Sequence, residues 1–206
     1  PTMATVDAKM VNSLRQSTGV SMLECKKALE EANGDVEAAI DLLKKRGIAK
    51  AAKRADREAV QGVIQAYIHM GGKVGVLIEL NCESDFVAKN DDFQVFAKDL
   101  CMHIAAAAPV AVRREEVPED VLERERNIGR GQIEEEDKAK GKSRPAEVID
   151  KIVEGKINKY LSQVCLMEQP YVKNPDQTIQ DLVNERIQLL GENIRINRFA
   201  RYAIGE

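Results

Sequence analysis

A strict alternation of apolar and polar residues over residues 60–81 constrains the fold of this chain more than any other feature. Apolar or small residues occupy every second position in residues 60–68 and again in residues 74–80, and the pair Gly71-Gly72 separates the two runs. Two alternating runs joined by a glycine pair predict a β-hairpin. Because a lone hairpin is only marginally stable in water, we expect a C-terminal strand over residues 193–204 to complete the sheet.

The first part of the chain has the punctuation of three short helices, which predicts a compact domain over residues 3–47. Ser21, followed three residues later by Glu24, forms the capping box of the second helix. Gly47 is placed to end the third helix. Residues 48–59, rich in alanine and basic side chains, are then either a short helix or a semi-rigid basic linker.

The remaining residues, 60–206, are predicted to form one core in which helices pack on the small sheet. An apolar stripe over residues 91–108 predicts one of these helices. Two charged, amphipathic stretches on either side of Gly141 predict a protruding helical hairpin over about residues 117–164. Residues 169–177, which carry two prolines, predict a loop. The fold class is therefore α+β, with a small antiparallel sheet.

Composition narrows the range of functions. The 206 residues are 44% hydrophobic and 32% charged, with a formal net charge of -3. A protein whose main task is to hold a nucleic-acid backbone usually has a net basic surface. No apolar run approaches the ~20 residues that span a bilayer, and the first residues lack the apolar core of a signal peptide. We expect a cytoplasmic protein that binds neither membranes nor nucleic acid directly.

No set of residues suggests covalent chemistry. The four cysteines are widely separated and form no C-x-x-C pair, so free buried thiols in a reducing compartment are expected. Of the two histidines, His69 is expected at the surface and His103 in a structural role. The sequence lacks a glycine-rich phosphate loop, G-x-S-x-G and H-E-x-x-H. We therefore predict no catalytic residues, no metal and no cofactor, and favour an interaction protein over an enzyme.

The segment NCESDFVAKN, residues 81–90, stands out within this ordinary composition. The chain has no Trp and four Phe, yet one of these, Phe86, follows Asp85 directly in a predicted surface connection. One explanation is that Phe86 folds back over the end of the sheet. The other is that Phe86 is an aromatic anchor for a partner's pocket, with Asp85 as a flanking charge.

Two motifs together resemble those of the elongation factor Ts family of bacteria. Residues 18–29, TGVSMLECKKAL, match the pattern T-G-x-x-M-x-x-C-K-K-A-L, and residues 84–87, SDFV, match T-D-F-V with Ser in place of Thr. The stretches LMEQPYVKNPDQTIQDLV and GENIRINRFARY extend the similarity over nearly the whole chain. Members of this family are nucleotide-exchange factors for elongation factor Tu.

The resemblance implies a role for each residue of the SDFV segment. Phe86 would wedge between helices of elongation factor Tu near its Mg²⁺ site, which disturbs the metal and loosens bound GDP. Asp85 would be its polar neighbour, and Val87 would complete the motif. Ser84 keeps the hydroxyl of the usual Thr, so little loss is expected from that departure.

The resemblance also implies contacts outside this segment. The first three helices would resemble a ubiquitin-associated domain and touch the GTPase domain of elongation factor Tu, with a second domain of that partner also in contact. Met22, Leu23 and Lys26 match family positions that touch the partner, although helix-core packing and a solvated charge are competing explanations. Arg54 stands where the family often has Lys, which keeps the charge but changes the contact geometry.

Chain length bears on the oligomeric state. Long members of the family carry two core halves in tandem, whereas this chain has room for one. It resembles the short members, which pair into homodimers so that two chains build the full binding surface. One small sheet with a helical hairpin is a thin fold on its own, so a homodimer is physically sensible.

Two other classes of function remain open at this point. The chain is a plain protein- or ribosome-binding module without exchange activity if its first domain only captures a helical or ubiquitin-like ligand. It is an RNA-binding or ribosome-associated protein if the basic stretch over residues 44–57 contacts phosphates. The near-neutral overall charge argues against the second of these alternatives.

Overall fold

The computed structural model describes residues 6–206, which combine helices with two small sheets. The α-helices in this range are α1 Ala8–Thr18, α2 Met22–Glu31, α3 Val36–Arg54, α4 Asp85–Ala88, α5 Asp91–Ala107, α6 Glu119–Lys140, α7 Ala146–Val164 and α8 Ile179–Leu190. The strands are β1 Gln61–Ile68, β2 Val74–Cys82, β3 Pro170–Tyr171, β4 Asn174–Thr178 and β5 Arg195–Ala203. Short 3₁₀ turns cover Arg114–Glu116 and Leu166–Glu168. The predicted α+β class is confirmed.

The larger sheet is antiparallel and has the strand order β1-β2-β5. Strands β1 and β2 form the predicted hairpin, and β5 lies within the predicted range 193–204. The prediction of a loop over residues 169–177 is wrong, because β3 and β4 pair there as a second, antiparallel sheet. Strands this short, with prolines at their exposed positions, carry too little alternation to be recognised.

The chain divides into two compact units. The first comprises the residues up to Gln65 together with Glu79–Ala97 and Asp181–Asn197, and the second comprises Ala66–Ile78, Lys98–Gln180 and Arg198–Glu206. This division does not test the predicted domain boundaries at residues 47 and 60, which therefore stay a prediction. Residues 3–5 of the predicted first domain lie outside the described part of the chain.

Helices α1, α2 and α3 of the first unit enclose a small apolar core, to which Leu189 of α8 also packs. Its buried members are Val11, Leu14, Val20, Cys25, Ala28, Leu29, Ala39 and Leu43. Ser21 caps α2 as predicted, because its hydroxyl accepts a hydrogen bond from the Glu24 N–H at 3.4 Å. The Glu24 carboxylate, which is the other half of the predicted capping box, lies beside Lys50, with Lys50 Nζ and Glu24 Oε2 3.6 Å apart.

Helix α3 does not end at Gly47, so that prediction is wrong. It continues to Arg54, which also resolves residues 48–54 as helix rather than linker. Gly47 is buried, and a Cβ built there would lie 2.6 Å from Oε1 of Gln188 in α8. The glycine therefore lies inside α3, facing the Gln188 side chain, and not at the left-handed turn of a helix end.

In the second unit, α6 and α7 pack against each other as the predicted helical hairpin. Gly141 ends α6 in the left-handed conformation, with φ at 60°. The apolar seam of the hairpin contains Val117, Ile133, Val153, Ile157, Leu161 and Cys165. Exposed ion pairs such as Arg130–Asp150, at 2.8 Å, lie on its surface. Among residues 6–206, no helix has the length and apolar character needed to cross a bilayer.

Candidate functional site

The SDFV segment folds as a capped, single-turn helix. Ser84 is the N-cap of α4, and its hydroxyl accepts a hydrogen bond from the Val87 N–H at 3.4 Å. Ala88 is buried at the inner side of the turn, and Val87 is half-buried. Asp85 and Phe86 face outward, and Lys89 donates a hydrogen bond to the Asp85 carboxylate one turn away.

Phe86 is 90% exposed, so the explanation in which it folds back over the sheet is wrong. The other three Phe side chains show what this chain does with a core aromatic: Phe93 and Phe96 are fully buried and Phe199 is partly covered. An exposed aromatic ring on a capped turn presents apolar area to the solvent. The capped backbone fixes the direction in which the side chain leaves it. That arrangement is suited to insertion into a pocket of another molecule.

Long-range hydrogen bonds hold the start of this turn. Oε2 of Glu192 accepts from the backbone N–H groups of Glu83 at 3.1 Å and Ser84 at 2.9 Å. The Ser84 hydroxyl donates to Oε1 of the same carboxylate. Glu192 was not predicted from the sequence, because it lies 108 positions from Ser84 in the chain and no local pattern marks it.

The other predicted contact residues lie on separate elements of the same unit. Met22 and Leu23 occupy the first turn of α2 and are 44% and 61% exposed, so neither is a core residue. Lys26 is also exposed and pairs with Glu30 one turn away, with Nζ and Oε1 3.7 Å apart. Arg54 ends α3, and its buried Nε lacks a hydrogen-bond partner among the described residues.

The titratable groups of the described residues offer little covalent reactivity. All four cysteines are buried thiols, and burial raises the pKa of Cys82 to about 11 and of Cys101 to about 12. Thiols with such pKa values carry almost no thiolate near neutral pH. No group of three or more His, Cys, Asp or Glu residues within residues 6–206 is arranged to hold a metal ion.

The fold and this site together define an α+β protein that presents a preset aromatic side chain at its surface, suited to docking against another protein. Comparisons with known proteins show which family this chain belongs to. The family model described as elongation factor TS matches residues 8–206. The chain belongs to the elongation factor Ts family.

Individual relatives match over almost their full length. The chain is 54% identical over 201 residues to elongation factor Ts of Carboxydothermus hydrogenoformans, a match that covers 98% of this chain and 90% of the relative. It is 53% identical over 201 residues to elongation factor Ts of Geobacter sulfurreducens, a match that again covers 98% of this chain and 90% of the relative. It is 52% identical over 204 residues to that of Desulfosudis oleivorans, covering 99% and 100% of the two chains.

Proposed function

We propose that this chain is the nucleotide-exchange factor of elongation factor Tu and acts in translation elongation in the cytoplasm. Membership of the elongation factor Ts family supports this function in general. The observation that carries the mechanism is the 90% exposure of Phe86 on a capped turn. An exchange factor of this kind needs a side chain that enters its partner, and Phe86 is available for that purpose.

Exchange follows from differential binding rather than from covalent chemistry. GDP and Mg²⁺ hold a GTPase mutually, so a distortion of the metal site weakens the grip on the nucleotide. The factor binds the nucleotide-free partner more tightly than the GDP-bound one, and by linkage the nucleotide weakens factor binding to the same degree. Such an exchange factor therefore needs a binding surface and no catalytic group.

Within the proposed contact, Phe86 is the wedge that displaces the Mg²⁺ environment, and its burial in the partner supplies apolar contact area. Asp85 presents a carboxylate beside the ring. Val87 and Ser84 act through the turn itself, since Val87 is half-buried and Ser84 caps α4. The segment works as one rigid unit rather than as four independent contacts.

The second proposed contact is made by the first three helices with the GTPase domain of elongation factor Tu, and a second domain of the partner completes the surface. The exposed side chains of Met22 and Leu23 supply apolar contact, and Lys26 supplies a positive charge. Arg54 offers a planar guanidinium, which can pair with a carboxylate through two hydrogen bonds where Lys would make one.

We further propose that two chains pair through an apolar face of the second unit. Ile68, Leu77, Tyr202 and Ile204 are exposed and line one shallow groove at the sheet. A second copy is the occupant we propose, because the short family members that this chain resembles pair into homodimers and a C₂ pair needs one self-complementary patch. Apolar faces of this kind are costly to leave in water.

The test is release of a fluorescent GDP from elongation factor Tu, measured with the wild type, with Phe86→Ala and with buffer. Ile128→Ala serves as control because Ile128 is also an exposed apolar residue, on α6. We expect acceleration by the wild type and by the control, and little by Phe86→Ala. Binding of elongation factor Tu without faster release would support a plain binding module instead. Equal acceleration by Phe86→Ala would leave the exchange function in place but would show that Phe86 does not drive GDP release.

A further inference from the structure

Glu192 is anchored directly after α8 and reaches back to the start of the Phe86 turn. Gly191 ends α8 in the left-handed conformation, with φ at 75°, which turns the chain so that Glu192 leaves the helix axis. Its half-buried carboxylate then accepts the N–H groups of Glu83 and Ser84 and the hydroxyl proton of Ser84. Three donors converge on one carboxylate, and hydrogen bonds to a charged acceptor are the stronger kind.

The direction of the Ser84 hydroxyl depends on this carboxylate. A serine hydroxyl has one proton to donate and lone pairs that accept. Because its proton points at Glu192 Oε1, a lone pair is left to accept the Val87 N–H at 3.4 Å, the bond that caps α4. Glu192 thus selects the rotamer of the cap as well as holding its backbone.

A second set of hydrogen bonds runs in the reverse direction and extends to the end of α3. The backbone N–H of Asn193 donates to Oε1 of Glu83 at 2.6 Å. The buried Asn193 side chain donates through Nδ2 to the carbonyl oxygens of Ala55 at 3.4 Å and Arg57 at 2.8 Å. The Arg57 guanidinium lies 3.6 Å from the Glu83 carboxylate. Residues 83–84, 192–193 and 55–57 therefore form one connected polar network.

We propose that Glu192 is a positioning residue for nucleotide exchange, which fixes the direction of the Phe86 side chain through the Ser84 cap. Asn193 and Glu83 tie the same turn to the end of α3, so the two proposed contact surfaces of the first unit are held in a defined relation. This inference rests on the proposed exchange function, because a fixed direction matters only if Phe86 enters a partner. A wedge that swings freely loses the ordering that insertion requires.

Glu192→Gln is the variant that isolates this role. The glutamine amide has nearly the shape of the carboxylate, but its NH₂ group donates where the carboxylate only accepts. It can satisfy the two backbone N–H groups, yet it presents a donor to the Ser84 hydroxyl and so competes with the Val87 cap. Glu134→Gln is the matched control, because Glu134 is an exposed carboxylate on α6.

Hydrogen exchange measures the positioning without any partner. In Glu192→Gln we expect the peptides that contain residues 83–87 to exchange faster, with α1 and α2 unchanged and with no change anywhere in Glu134→Gln. Equal protection of residues 83–87 in Glu192→Gln and the wild type overturns the inference, whatever the release assay gives.

The release assay then measures the consequence. At saturating factor we expect Glu192→Gln to lower the GDP release rate about tenfold, which corresponds to about 1.4 kcal/mol, with a smaller change in the half-saturating concentration. In a Phe86→Ala background the same substitution should leave the affinity for elongation factor Tu unchanged, because Glu192 acts through Phe86. A merely structural role would weaken binding equally in both backgrounds and would overturn the inference.

The outcomes separate the two proposals. Wild-type acceleration with an unchanged rate in Glu192→Gln overturns the positioning role alone. No acceleration by the wild type overturns the exchange function, and with it any exchange role of Glu192.

Discussion

The backbone N–H of Val172 donates a hydrogen bond to Nδ1 of His103, with the two atoms 3.3 Å apart. Nε2 of the same ring lies 2.9 Å from Oε1 of Gln169. Since Nδ1 accepts, the ring proton resides on Nε2 and is donated to Gln169. His103 is fully buried, so the neutral imidazole joins two parts of the second unit, which confirms its predicted structural role.

This arrangement predicts a loss of stability at mildly acidic pH. Burial lowers the pKa of His103 below its ordinary value of 6.5, so below that pH the unfolded chain takes up the proton before the folded one. The contribution of His103 to the free energy of unfolding is fully present above pH 6.5. It is lost as the pH falls from 6.5 toward the lower pKa of the folded state. Urea unfolding at about pH 7.5 and about pH 5.5 should show lower stability at the acidic value. The difference should shrink in His103→Asn, and an unchanged difference would remove His103 as its source.

The two phenylalanines Phe86 and Phe96 should respond oppositely to truncation in stability measurements. Phe86→Ala should leave the free energy of unfolding within about 0.5 kcal/mol of the wild type, because the ring is 90% exposed. Phe96→Ala should cost about 3–5 kcal/mol, because that ring is 2% exposed and also lies under the Arg186 guanidinium, 5.6 Å from the ring centroid. Chemical denaturation of the two variants side by side provides the measurement. A comparable loss in both would contradict the surface role of Phe86.

Gly62 should be intolerant of even a methyl group. It lies in β1 at φ 148°, and a Cβ built there would be 2.1 Å from the Leu80 carbonyl oxygen and 2.8 Å from Asn81 Cα. Because both obstacles are backbone, Gly62→Ala should destabilise the chain by more than about 2 kcal/mol. Gly131→Ala is the control: it lies in α6 with open space around it, so it should raise stability by up to about 1 kcal/mol. Thermal melts of the two variants that shift in the same direction would refute this contrast.

The cysteines should resist alkylation in the folded protein. At about pH 8, Cys82 and Cys101 should be almost entirely protonated because their pKa values are raised to about 11 and about 12. We expect iodoacetamide to modify the buried thiols slowly until denaturant is added, after which all four should react. Intact-mass spectrometry over time gives the count. Fast labelling of Cys82 in the native protein would show that its environment opens readily.

The proposed pairing of two chains predicts that a charge on the apolar face blocks association. Leu77→Lys and Ile204→Lys each place a cation in the groove, where burial against a second copy is unfavourable. Light scattering should give twice the 22.9 kDa chain mass for the wild type and the single mass for both variants. Ile128→Lys, on α6, should not change the mass. A monomeric wild type would refute the pairing.

Local signals in the sequence account for most of the secondary structure. The Gly71-Gly72 pair between two alternating runs predicted the β1–β2 hairpin, and Ser21 predicted the start of α2. These features depend on residues within a few positions of one another, which a sequence pattern contains. The exposure of Phe86 was one of two open explanations, and only the folded structure, in which the ring is 90% exposed, decides between them.

Features that depend on distant residues were not predictable in the same way. Gly47 has the local appearance of a helix end, but it lies buried inside α3 against Gln188, which is far along the chain. Glu192 resembles any surface glutamate until the fold brings it to Ser84. Alternation in β1 also defines two faces without showing which one is covered, so the exposure of Ile68 had no signal in the sequence.

The unbroken course of α3 has a mechanical consequence. Its 19 residues form a rod roughly 28 Å long that begins among the three N-terminal helices and ends beside the polar network at Ala55 and Arg57. Because α3 is one continuous helix, a rotation of the first three helices by about ten degrees as a rigid group would displace its far end, beside the base of the Phe86 turn, by about 5 Å.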